Sequence, residues 1–285
     1  MTRPSDAELY AQEFVARYGA DASRHLFDIA ARLSLAVKEV DAKSFDGALI
    51  RVKGADRGRV LLNRNVPEPG RRLFTLAHEI GHFVMPGHGR EASLCRAADV
   101  ETWDESVRAT EREANAFAAC VLMPETLCRP FVRREPSMQA LEAMREACGT
   151  SLTATLVRYV QMSSFAVAMV RVEHGFVKWR ICSSEFGTAV KRGRVHPDSF
   201  AADAASGRSV PADLESVPAI AWLYEDAVLE GSRIFEAAVA MPRYDAVVSL
   251  LYAHDPILRR RDEPEDGELD PTEFTLDRKH WPRKR

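Results

Sequence analysis

Two histidines four residues apart, with a glutamate beside the first, form the segment His78-Glu79-Ile80-Gly81-His82. On an α-helix, positions i and i+4 lie about 40° apart on one face, so both imidazoles can reach a single metal ion. Glu79 lies about 100° from His78, clear of the rings yet within reach of a water on that ion, where a general base would stand. Leu73, Leu76, Ala77, Ile80, Phe83 and Val84 fill most of the remaining arc. Such a helix is buried with its polar arc facing an internal cleft, and a cation there would offset the cost of burying that arc. Two satisfied core histidines are the competing reading, and the rarity of this pattern on an amphipathic helix weighs against it.

Zinc sites that do chemistry usually have three protein ligands and leave a fourth position open. The candidates lie in Glu111-Arg112-Glu113-Ala114-Asn115-Ala116-Phe117-Ala118. With Ala114 as origin, Phe117, Ala118, Val121 and Leu122 mark the inward face of a second helix. Glu111 falls inside that face at about 60°, whereas Glu113 falls at its margin at about 260°. Periodicity therefore selects Glu111 as the third ligand and leaves Glu113 a solvated charge. Asn115, four residues on from Glu111, can hydrogen-bond a ligating histidine. The expected cofactor is one Zn²⁺ per chain, with Mn²⁺ as a substitute in vitro. His88, Arg72 and Tyr159 could supply an oxyanion donor, and nothing in the sequence chooses among them.

These residues need elements to position them. A helical pattern over 6–40 is followed by β-rich runs at 35–40, 48–52 and 60–62, which read as a small meander. Helices are expected at 71–84 and 106–123, with a polar, aperiodic stretch between them. Ser137 and Ser151 can cap two further helices separated by Gly149, a helix-turn-helix outline. Arg158 is the one basic residue of the second, so direct DNA reading is disfavoured. Strands follow at 165–172 and 176–182 around a His174-Gly175 turn, then at 220–224, 234–240 and 244–252. The fold class expected is α+β. The domain that holds the candidate metal site would span 1–130, a helical segment 131–162, a strand-rich unit 163–257 and a charged, disordered tail 258–285.

With 285 residues, 46% of them hydrophobic, the chain can bury a sizeable core. No apolar run approaches the roughly 20 residues of a membrane span, and the N-terminus carries charge where a signal peptide would be apolar, so a cytoplasmic location is expected. A net charge of -3 gives no global field for nucleic acid. The five cysteines contain no CxxC pair and suit neither a disulfide scaffold nor a thiolate zinc site.

In Phe74-Thr75-Leu76-Ala77-His78-Glu79-Ile80-Gly81-His82, in the Glu111 to Ala118 segment and in Leu122-Met123-Pro124, the chain resembles the ImmA/IrrE family of zinc metallopeptidases. The resemblance is strongest over 23–130. It implies that 1–130 is a zincin-like metallopeptidase domain, with His78, His82 and Glu111 as metal ligands and Glu79 as general base. It also implies a protein substrate, since known members cleave helix-turn-helix repressors and so relieve repression of mobile elements or of a DNA-damage response. The helices at 137–160 are similar to the segment that follows the peptidase core in IrrE-like members, and past Ser163 the resemblance is not carried. The alternative is a non-cleaving module that senses zinc or titrates a repressor; against it, metal binding alone needs no general base at Glu79.

Overall fold

The computed structural model describes residues 5–51, 56–88, 92–95 and 109–254. The tail expected at 258–285 and the helix start expected at 106–108 lie outside the described residues. Helix α1 (Asp6–Tyr18) opens on a capping box, with Ser5 Oγ accepting from the Glu8 amide and the Glu8 carboxylate accepting from the Ser5 amide. A 3₁₀ turn (Ala22–His25) leads into α2 (Leu26–Arg32).

Strands β1 (Leu35–Val40), β2 (Gly47–Arg51), β3 (Gly58–Asn63) and β4 (Ala92–Cys95) form a sheet in the order β1-β3-β2-β4. This is not the expected meander. β3 lies between β1 and β2, parallel to β1 from Leu35↔Gly58 to Val40↔Asn63 and antiparallel to β2. The composition explains the order: Val60 and Leu62 of β3 are buried, whereas Lys38 and Glu39 of β1 are partly or fully exposed and suit an edge. β4 falls in the stretch that read as aperiodic. Its antiparallel pairing with β2 is a non-local contact that four residues of local pattern do not announce.

Helices α3 (Pro69–Val84), α4 (Ala109–Leu122), α5 (Glu125–Val132), α6 (Met138–Cys148) and α7 (Leu152–Met162) follow; α3 packs on β2 and β3, α4 packs on α3, and α5, α6 and α7 pack on one another in the same core. Pro69 suits the first turn of α3, where no intrahelical N–H bond is lost. Ser137 and Ser151 cap α6 and α7 through the amides of Ala140 and Ala154, and Gly149 ends α6 in the left-handed region at φ 65°. The expected two-helix outline is therefore present. Its second helix faces inward, however: Thr155 through Val160 are all buried, and Arg158 donates from Nε to the Met123 carbonyl at 3.2 Å. That guanidinium serves the core, not a nucleic-acid groove.

Next come β5 (Val167–Glu173), β6 (Phe176–Cys182), β7 (Gly193–Arg194), α8 (Phe200–Ala205), β8 (Glu215–Pro218), β9 (Arg233–Met241) and β10 (Ala246–Tyr252). The strands form an antiparallel sheet in the order β7-β6-β5-β10-β9-β8. His174 and Gly175, at φ 51° and 77°, make the turn between β5 and β6. The strand expected at 220–224 is absent. A 3₁₀ turn (Ala219–Ala221) takes its place and leaves Ile220 exposed while Trp222 and Leu223 are buried, a pattern set by the turn and not by alternation. β5 and β10 are buried on both faces. Val167, Met169, Val248 and Leu250 join the core that also holds α1, α3, α4 and α7, while Ala168, Val170, Val247 and Leu251 join a second core under α8. Among the described residues no helix is long and apolar enough to cross a membrane.

Candidate metal centre

Helix α3 is buried without interruption from Phe74 to His82, and its two ends are held by the region around β2. Arg71, in its first turn, pairs with Asp46 through Nε at 2.8 Å and Nη2 at 2.7 Å. At its last turn, Arg51 of β2 donates to the carbonyls of His82 and Phe83, which places a cation at the negative end of the helix dipole. Two glycines permit close approach. A Cβ on Gly47 would stand 2.3 Å from Thr75 Cγ2 and 2.9 Å from Glu79 Oε1, and one on Gly81 would stand 2.9 Å from the Phe117 ring. Phe117 also meets Phe14 edge-on at 5.4 Å, so α1, α3 and α4 lock around one aromatic side chain. This packing fixes the phase of α4 relative to α3 and brings Glu111 to the histidines.

His78 Nε2 and His82 Nε2 lie 3.0 Å apart, and Glu111 Oε2 is 3.3 Å from each. Among the described residues these three form the one cluster of histidine, cysteine or carboxylate groups able to share an ion. Glu113 is not in it. Its side chain is 49% exposed and accepts from His88 Nε2 at 2.8 Å. Burial pushes the Glu111 carboxyl up, but while no cation takes their place, the hydrogen bonds and charge that protonated His78 and His82 rings offer it win and hold it well below the usual carboxylate range. Glu79, fully buried, lies on the same helix one residue from His78. Asn115 Oδ1 sits 2.9 Å from His78 Nδ1. An amide oxygen can only accept, so His78 Nδ1 carries a proton, and the neutral ring that binds a metal presents the lone pair of its Nε2 toward Glu111 and His82.

The donor chemistry fits a divalent cation. Ligand atoms placed tetrahedrally at roughly 2.0–2.1 Å from zinc would be about 3.3 Å apart, and the three atoms are 3.0 to 3.3 Å apart. Buried lone pairs and a carboxylate converging at that spacing repel one another unless a cation or a proton lies among them.

Of the other residues singled out by sequence, Arg72 pairs with Glu39 near the surface. Tyr159 is fully buried, with no hydrogen-bond partner for its hydroxyl among the described residues, and burial and then Tyr252 push that hydroxyl up to about 12. His88 was missed as a partner of the site: its Nδ1 lies 2.9 Å from His82 Nδ1. Its signal was local, since Pro86 cannot continue α3 and Gly87, at φ 80°, turns the chain back toward it. A separate cavity of ≈250 Å³, lined by Gly70, Phe74, Ala154 and Met241 among others, includes none of these groups.

A His-His-Glu cluster on two packed helices, with both rings buried and the glutamate partly so, is the kind of centre on which metallopeptidases are built. Residues 30–169 match the family model for Peptidase M78, the IrrE N-terminal-like domain. The matched segment holds His78, His82 and Glu111, so the chain carries an IrrE N-terminal-like domain of the Peptidase M78 type around the candidate metal centre. It is similar to the radiation response metalloprotease IrrE of Deinococcus radiodurans, with 28% identity over 109 residues, 38% of this chain and 33% of that protein. The match thus spans about a third of the relative's length.

Proposed function

We propose that the protein is a zinc-dependent endopeptidase with a zincin-like catalytic unit, that His78, His82 and Glu111 hold the metal, and that Glu79 is the general base. The observation that carries this reading is the convergence of His78 Nε2, His82 Nε2 and Glu111 Oε2 within 3.3 Å of one another, beside a buried glutamate on the same helix. Zinc bound there would supply Lewis acidity, polarising the scissile carbonyl and acidifying water. Asn115 fixes the ring of His78 so that Nε2 faces inward. Glu79, set against Gly47 in a dry environment, takes the proton of the attacking water on its carboxylate and returns it to the leaving amine. Gly47 and Gly81 keep α3 close to β2 and α4, so these groups need no rearrangement before reaction.

The substrate we propose is a helix-turn-helix transcriptional repressor, met in the cytoplasm, whose cleavage relieves repression in a stress response or on a mobile element. This rests on the family and on the name of the Deinococcus relative, a radiation response protease. The scissile bond should lie in an extended or locally unfolded segment, because a packed helix cannot offer its backbone to the site. The test uses wild type and Glu79→Gln with a repressor encoded beside the gene, products being read by intact mass. Glu79→Gln should keep its metal and fold while cleavage drops by at least about 10²-fold. Equal cleavage by both proteins would remove Glu79 from the base role. Loss of repressor function with both, and fragments from neither, would mean that the chain titrates its partner instead of cutting it.

A further inference from the structure

His82 does not have an amide oxygen beside it as His78 does. Its Nδ1 faces His88 Nδ1 at 2.9 Å, and His88 Nε2 faces Glu113 Oε2 at 2.8 Å. Each contact constrains the next. A carboxylate only accepts, so the proton of His88 is on Nε2. A neutral imidazole carries one proton, so His88 Nδ1 bears a lone pair and accepts. The hydrogen between the two Nδ1 atoms therefore belongs to His82, whose Nε2 is left with its lone pair facing His78 and Glu111. We infer that Glu113 and His88 form a relay that sets the tautomer of His82, making both of them positioning residues for the metal site.

The relay opposes a real competitor. Glu111 Oε2 lies 3.3 Å from His82 Nε2, and without His88 the favourable arrangement would put the proton on that Nε2, donating to Glu111. Such a bond occupies the ligand atom and the carboxylate together. His88 is buried and both its ring nitrogens are engaged, so it is positioned to oppose this. Glu113 remains half-exposed at the outer end of the relay. The consequence for metal affinity rests on the proposed metal site; the tautomers themselves do not.

Substituting His88 with asparagine and with glutamine separates positioning from space-filling. Asparagine can place its oxygen where Nδ1 was and accept from His82, whereas glutamine reaches the position of Nε2 and Glu113. In chelator competition, His88→Ala should weaken zinc binding by about 10- to 100-fold, the usual cost of losing a group that orients a ligand. His88→Asn should recover most of that loss and His88→Gln little. Glu113→Ala should cost less than His88→Ala. A His88→Ala protein that binds zinc as tightly as wild type, or a better recovery by glutamine than by asparagine, would overturn the relay. Imidazole nitrogen NMR on metal-free wild type gives a readout independent of zinc. His88 should be the Nε2–H tautomer, and finding its proton on Nδ1 would overturn the inference even if zinc binds. Wild type that binds no zinc while His88 shows the Nε2–H tautomer would instead overturn the metal reading and support the relay.

Discussion

Two glutamates, the partly buried Glu111 beside α3 and the buried Glu236 in β9, meet opposite surroundings. Glu236 is fully buried and accepts four hydrogen bonds, from the amides of Phe200 and Ala201 at 2.9 and 2.8 Å, from Trp222 Nε1 at 2.8 Å and from Ser249 Oγ at 2.9 Å. Every donor is a neutral group of the same fold, and together they join α8, the 3₁₀ turn before Trp222 and β10 to β9. Burial still pushes its carboxyl up. Glu111 is less buried, yet it faces two imidazole nitrogens that also face each other and is held well below the usual range. A carboxylate satisfied by the chain's own donors is architecture. One that converges with other acceptors marks a place where a cation belongs.

The largest effect expected from that contrast is on stability. Glu236→Ala leaves four buried donors without their acceptor and should destabilise the fold by about 3–4 kcal/mol, while zinc affinity per folded chain stays unchanged. Urea unfolding and chelator competition on the same protein measure both. A variant of wild-type stability that lost its zinc would reverse the roles assigned to the two glutamates. The next effect lies in the other region. Glu111→Gln removes a charged ligand and should weaken zinc binding by more than about 100-fold, beyond the loss from an orienting group, without lowering the stability of the metal-free chain. If the metal-free variant is instead markedly less stable, Glu111 serves the fold as Glu236 does.

How far each glutamate could be read from sequence follows from the reach of its contacts. His78, Glu79 and His82 sit on one helix, so pitch alone places them, and Glu111 followed from the apolar phase of α4, which Phe117 and Gly81 fix by contact. His88 and Glu113 each stood out in the sequence, but their pairing did not, because it joins a turn after α3 to a side chain at the margin of α4. The order β1-β3-β2-β4 was hidden for a related reason. Parallel pairing of β1 with β3 skips a strand, and alternation within a strand does not name its neighbour. Glu236 was not singled out at all: in Arg233-Ile234-Phe235-Glu236-Ala237 it has the look of an exposed strand position, and its four donors come from three separate segments.

The smallest effect concerns pH and tests whether burial or the four donors governs Glu236. Its folded carboxyl value is raised above the ordinary 4.5 by burial, against the pull of Trp222, Ser249 and the two amides. Between the ordinary and the raised value, the folded chain keeps a proton that the unfolded chain has released. The contribution of Glu236 to stability is therefore fully present below about 4.5 and declines as pH rises through the folded value. Glu236→Gln has no such proton to lose. The stability of wild type minus that of Glu236→Gln should thus fall as pH rises above about 4.5 and then level off once the folded carboxyl has ionised. Urea titrations at a series of pH values, with chelator present so that the His-Glu cluster contributes alike in both proteins, give that difference directly. A difference that rises with pH would show that the four donors outweigh burial. Glu236 would then be held ionised like Glu111, and the contrast between the two would rest on their partners alone.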